Sequence, residues 1–145
     1  MRFATLSLLA ATLVSIPAQA AAPNMKEGLW ETTVKMEMPG MPGGMPPQTV
    51  QRCYTKKDLE DPAKTAPSGG QRDNRCKMTD YKLQGNTASW KVVCEGEGAS
   101  TGTGTVTYAG NSYSGNQTIS MKRGGQTQNM TMQYSGKHLG DCKKK

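Results

Sequence analysis

From Trp30 the chain reads WETTVKMEM, with Trp30, Val34, Met36 and Met38 on one parity and Glu31, Thr33, Lys35 and Glu37 on the other. A period of two marks a strand with one buried face and one wet face. Prolines without backbone donors and turn-favouring glycines interrupt the pattern between Pro39 and Pro47. QTVQRCY, Gln48 to Tyr54, then reads as a return strand. TKKDLEDPAK allows one helical turn before Pro62 and TAPSGGQRDN is loop by composition, so residues of about 55–74 form the longest irregular region. Beyond it CKMTDYKLQ, TASWKVVCEGE, GTGTVTYA, SYSGNQTISMKR and QTQNMTMQYSG follow as strands, with breaks at Gly85-Asn86, Gly110-Asn111 and Gly124-Gly125 that suit hairpins. The pattern predicts an all-β domain, an antiparallel meander of about seven strands. With no long helical pattern to cover it, the sheet is expected to curl, closing wholly or in part into a barrel. The series GEGASTGTG leads into a strand and not a helix, so it lacks the helix N-terminus of a phosphate loop. Its glycines are expected as strand bends or bulges.

Ahead of this region, residues 1–20 carry Arg2, the apolar run FATLSLLAATLVSI, Pro17 and the small-residue end Ala18-Gln19-Ala20. That is the layout of a signal peptide cleaved after Ala20, so a single exported, periplasmic domain is expected over residues 21–145. The apolar run is too short to span a bilayer comfortably, and no later stretch is apolar enough to be a transmembrane segment. Only 34% of the residues are hydrophobic, which implies a thin core in need of covalent support. The net charge of +7 is spread along the chain apart from the terminal Lys143, Lys144 and Lys145, a tail suited to an anionic envelope surface. No stretch interleaves aromatic with basic residues, so nucleic acid is not an expected partner.

Four cysteines, Cys53, Cys76, Cys94 and Cys142, permit three disulfide connectivities. A three-residue loop Gln84-Gly85-Asn86 would pair Leu83 with Thr87 and set Cys76 directly opposite Cys94, within bridging range. Cys53 and Cys142 then remain, tying the first hairpin to the C-terminus. A metal or redox cysteine site is disfavoured by the wide spacing, the lack of Cys-x-x-Cys and the single histidine, His138.

No catalytic constellation emerges: GxSxG is absent, and the carboxylate groups Glu95 with Glu97 and Asp58 with Glu60 and Asp61 read as solvated charges. No cofactor is expected. Met36 and Met38 share the inward parity of the first strand, and Met121, Met130 and Met132 are inward-facing on later strands. Methionine therefore acts as a general core filler. Trp30, Met36, Met121, Met130 and Met132 are the candidate lining of an apolar face for a small hydrophobic ligand or an envelope partner. The alternative is Cu(I), which thioethers select, bound by Met41 and Met45 of the turn together with Met38.

The segments GLWETTVKMEMPGMP, QRCYTKKD, RCKMTDYKLQGNTASWKVVCEG, GTGTVTYAGNSYSG and GKHLGDC resemble the DUF3617 family of exported proteobacterial proteins over residues of about 26–142. The resemblance implies a periplasmic protein and a structural role for the four cysteines. It brings no established activity, and no catalytic residue is carried over.

Overall fold

A computed structural model describes residues 22–67, 75–96 and 98–143. The segment expected to be a leader, residues 1–20, lies outside the described residues, as do Glu97, Lys144 and Lys145. The described strands are β1 (Gly28–Glu37), β2 (Gln48–Tyr54), β3 (Cys76–Gln84), β4 (Thr87–Cys94), β5 (Ser100–Tyr108), β6 (Ser112–Arg123) and β7 (Gln126–Gly140). They form one antiparallel seven-stranded sheet in the order β2-β1-β7-β6-β5-β4-β3. Each short turn joins neighbours, as hairpin chemistry dictates. The meander also bends round so that β1 pairs with β7, from Leu29 opposite Gly140 to Glu37 opposite Thr131. The gap of this partly closed barrel falls between β2 and β3, the two strands joined by the long irregular connection.

That connection carries two short helical turns, α1 (Lys56–Leu59) and α2 (Pro62–Thr65). Thr55 and Asp58 cap α1 reciprocally, while Asp61 caps α2 ahead of Pro62 at its first position. The caps orient the segment so that Leu59 and Ala66 are buried, and the Tyr108 hydroxyl donates to the Thr65 carbonyl oxygen at 3.3 Å. Of the expected loop at about 55–74, residues 55–67 form a capped cover docked on Tyr108, and residues 68–74 lie outside the described residues.

The inner face of the sheet is layered. At one end Trp30 stacks on Tyr113 at 5.5 Å between ring centroids, and His138 meets Trp30 edge-on. Val34 stands opposite Tyr134, then Met36 opposite Met132 and Met132 opposite Gln117. Toward the far end Ile119 faces Met130. Two glycines make the layers possible. A Cβ on Gly136 would overlap the Tyr113 ring, and one on Gly104 would overlap the Trp90 indole. Gly102 and Gly104 were expected as bends or bulges. They lie instead in an unbroken register between Val92 and Ile119 and between Trp90 and Gln117, where the missing side chain leaves room for a neighbour.

Both bridges form as the spacing suggests, Cys76 with Cys94 and Cys53 with Cys142, with Cα separations of 4.0 and 5.7 Å. The register that brings Cys76 to Cys94 arises differently from the one expected. The turn is the two-residue Gly85-Asn86, so Gln84 and not Leu83 pairs with Thr87. The resulting one-residue offset is corrected by a bulge between Thr79 and Lys82, where Asp80 takes a φ of 52°. Past the bulge Thr79 pairs with Lys91 and Cys76 with Cys94.

Candidate functional site

The interior is well filled around the aromatic end. Trp30 is 0% exposed, and Tyr108, Val106 and Gln117 are each below 2%. The Tyr134 hydroxyl donates to Gln117 Oε1 at 3.2 Å and lies 3.4 Å from Met132 Sδ, which holds Met132 as packing in mid-barrel. Trp30 is likewise committed: its Nε1 donates to the Lys26 carbonyl at 2.9 Å, and its ring is enclosed by Tyr113 and His138. These two members of the candidate lining set are structural fillers, separated along the sheet from the other end.

That other end is different. Where β1 runs out and β6 and β7 begin their shared turn, a cleft of about 170 Å3 is lined by Met38, Pro39, Gly40, Met41, Met121, Gln128, Asn129 and Met130. Four thioether side chains surround it. Met38 continues the inward parity of β1, Met130 stands opposite Ile119, and Met121 stands opposite Gln128. Met41 is brought over them by the turn. Met41 N donates to Met38 O at 3.3 Å, Gly44 N to Met41 O at 3.1 Å, and Met45 N to Met36 O at 3.0 Å. Gly44 has a φ of +65°, and a Cβ there would press on the Met36 carbonyl, so the turn's path is specified by glycine. Met45 itself is used to close the turn and does not line the cleft. Met36, half-buried opposite Met132, sits one layer below it.

The structure thus recombines the sequence candidates. Met121 and Met130, read as lining, meet Met38 and Met41, read as a separate soft-metal group. Gln128 adds a polar amide that the sequence reading did not single out, and Asn129 borders the cleft while accepting from the Ser120 hydroxyl at 2.7 Å. The signal that could have found this set was the Cys53–Cys142 bridge, since tying the first hairpin to the C-terminus places β1 beside β7.

Several titratable groups are tied into the fold. Lys64 Nζ lies 2.7 Å from Asp58 Oδ1, and this contact, then the Thr55 hydroxyl and backbone, holds the Asp58 carboxyl well below its ordinary range. Lys137 and Gln51 similarly lower Glu31. Burial pushes the Tyr113 hydroxyl up to about 12 and raises Tyr108, Tyr54 and Tyr81 as well. His138 Nε2–H donates to the Glu27 carbonyl at 2.9 Å. Among the described residues no group of three or more His, Cys, Asp or Glu converges, and no helix is long and apolar enough to cross a membrane. A broader trough of about 650 Å3 crosses the wet face of the sheet, lined by Thr33, Lys35, Thr105, Asn116, Gln133 and other short polar groups.

Fold and cleft together define a disulfide-stapled, partly closed β-barrel with a methionine-lined opening at one end. A family model covers residues 25–142, and the chain belongs to this family, DUF3617, described as proteins of unknown function. Searches of curated proteins and of solved structures each return no match.

Proposed function

We propose that this is a non-enzymatic binding protein of the periplasm, whose site is the methionine-lined cleft and whose ligand is small and apolar or soft. One observation carries the reading: thioethers from β1's end, its turn, β6 and β7 surround a single cleft of about 170 Å3. Much of the inner face is occupied by Trp30, Trp90, Tyr108, Tyr113 and Met132, and a wider cleft of about 470 Å3 bordered by Cys94, Ser100 and Met121 brings in no methionine besides Met121. An apolar cavity of about 150 Å3 accepts benzene or xenon, so the cleft suits a ligand of a few heavy atoms. Methionine is apt for this role because its unbranched, polarisable chain adapts to the guest. Two disulfides and a leader-like first twenty residues support an exported location. Crystals pressurised with xenon test the site. Xenon seated among Met38, Met41, Met121 and Met130 is expected, whereas a cleft that takes up neither xenon nor a soft metal ion removes the proposal.

A further inference from the structure

Resting on the reading of the cleft as a binding site, we infer that its ligand is a soft monovalent cation, Cu(I), held by Met38, Met41, Met121 and Met130. The donor set decides the class. The lining offers four thioethers and the amide of Gln128, the Asn129 oxygen being taken by the Ser120 hydroxyl at 2.7 Å, with no carboxylate, imidazole or thiolate. Hard cations such as Mg2+ and Ca2+ require oxygen cages, and zinc requires nitrogen or thiolate ligands. Thioethers select Cu(I). A neutral ligand set also favours a single positive charge over two, because no anion in the cleft offsets the desolvation of a dication.

Two further features fit. All four cysteines of the chain are consumed in disulfides, so methionine is the soft donor the protein has left to offer. Thioethers, unlike thiols, do not couple into disulfides in an oxidising compartment. The backbone that carries the four methionines is fixed before any ion arrives, and their unbranched side chains would close on it. Three backbone hydrogen bonds and the left-handed Gly44 fix the turn, and strand pairing fixes Met121 and Met130. Met41, 47% exposed, is the member placed at the entrance. A soft ion would enter past it and exchange water for sulfur.

The test is an anaerobic Cu(I) titration of the full chain against a competing chelator, repeated with Ag(I) as a redox-silent probe. Leucine replaces methionine with little change in volume, so Met121→Leu, Met130→Leu and Met41→Leu should fold. Each is expected to weaken binding on the order of tenfold or more, as loss of a metal-site group does. Met45→Leu, outside the cleft, should bind like the wild type. Equal affinity in the wild type and in a variant with all four lining methionines changed to leucine overturns the copper assignment. So does an absence of competition with the chelator. If xenon seats in the cleft while Cu(I) and Ag(I) do not bind, the ion assignment fails and the binding cleft stands; if neither binds, both fail.

Discussion

At the scale of single residues, the molecule is shaped by what glycine omits and methionine supplies. Gly136 and Gly104 receive the Tyr113 and Trp90 rings, so the sheet gains large aromatic fillers without a second layer. Gly136→Ala should therefore cost about 2–3 kcal/mol through overpacking. Ser114→Ala on the wet face should cost less than about 0.5 kcal/mol. Urea midpoints decide the matter, and an unaffected Gly136→Ala would mean that the ring does not occupy that space. Inward parity alone identified Met36, Met38, Met121, Met130 and Met132 as facing the core side. It did not separate fillers from lining, because that depends on depth along the barrel, which alternation does not encode. Met132 and Met130 share a face two residues apart, yet one is packed under Tyr134 and the other borders the cleft.

At the scale of elements, two compensations set the register. The β3–β4 hairpin has a tight two-residue turn and, at Asp80, a bulge that restores the alignment of Cys76 with Cys94. Sequence reading reached the same bridge with a longer turn and no bulge. The two routes differ between Thr79 and Gln84, and a bulge of one residue leaves no mark in an alternating pattern. Asp80 tolerates its φ of 52° as short polar residues do, whereas a β-branched residue there is strained. Asp80→Val should destabilise by about 1–2 kcal/mol while Asp80→Gly is neutral or stabilising. The exposed Lys91–Asp80 ion pair, at 3.0 Å, offsets little of this. Thermal unfolding of the two variants checks the order, and equal effects would contradict a left-handed Asp80. The bridges differ in reach, with sequence separations of 89 for Cys53–Cys142 and 18 for Cys76–Cys94. In the chain-entropy model, removing the long one should cost about 4.5 kcal/mol and the short one about 3 kcal/mol. Paired Cys→Ala variants followed in denaturant should keep that ranking, and the reverse order would contradict it.

At the scale of the whole molecule, the all-β class, the hairpin order and the two bridges were legible because period two, Gly/Asn turns and cysteine spacing are local signals. The seam was not legible. The opening between β2 and β3 depends on the curvature of the complete sheet and on α2 docking against Tyr108, whereas the approach of β1 to β7 was signalled only by the Cys53–Cys142 bridge. The same architecture predicts an alkaline transition. Tyr113 and Tyr108 have their hydroxyls raised above the ordinary 10.0, chiefly by burial. The folded state holds these protons more tightly than the unfolded one, so stability is undiminished below pH 10 and falls as pH rises toward 12. Loss of β-sheet signal should accompany tyrosine ionisation there; ionisation of every tyrosine near 10 with the sheet intact would contradict the buried placement. The sheet thus has a filled aromatic end and, at the other, the methionine-lined cleft that we propose as its binding site. The most direct measurement is a benzene titration of protein with isotopically labelled methionine methyl groups, followed by NMR. The methyl signals of Met38, Met41, Met121 and Met130 should move together and saturate, while those of Met25 and Met132 stay in place. Movement of Met132 without the other four, or no saturable movement at all, would contradict the cleft as the binding site.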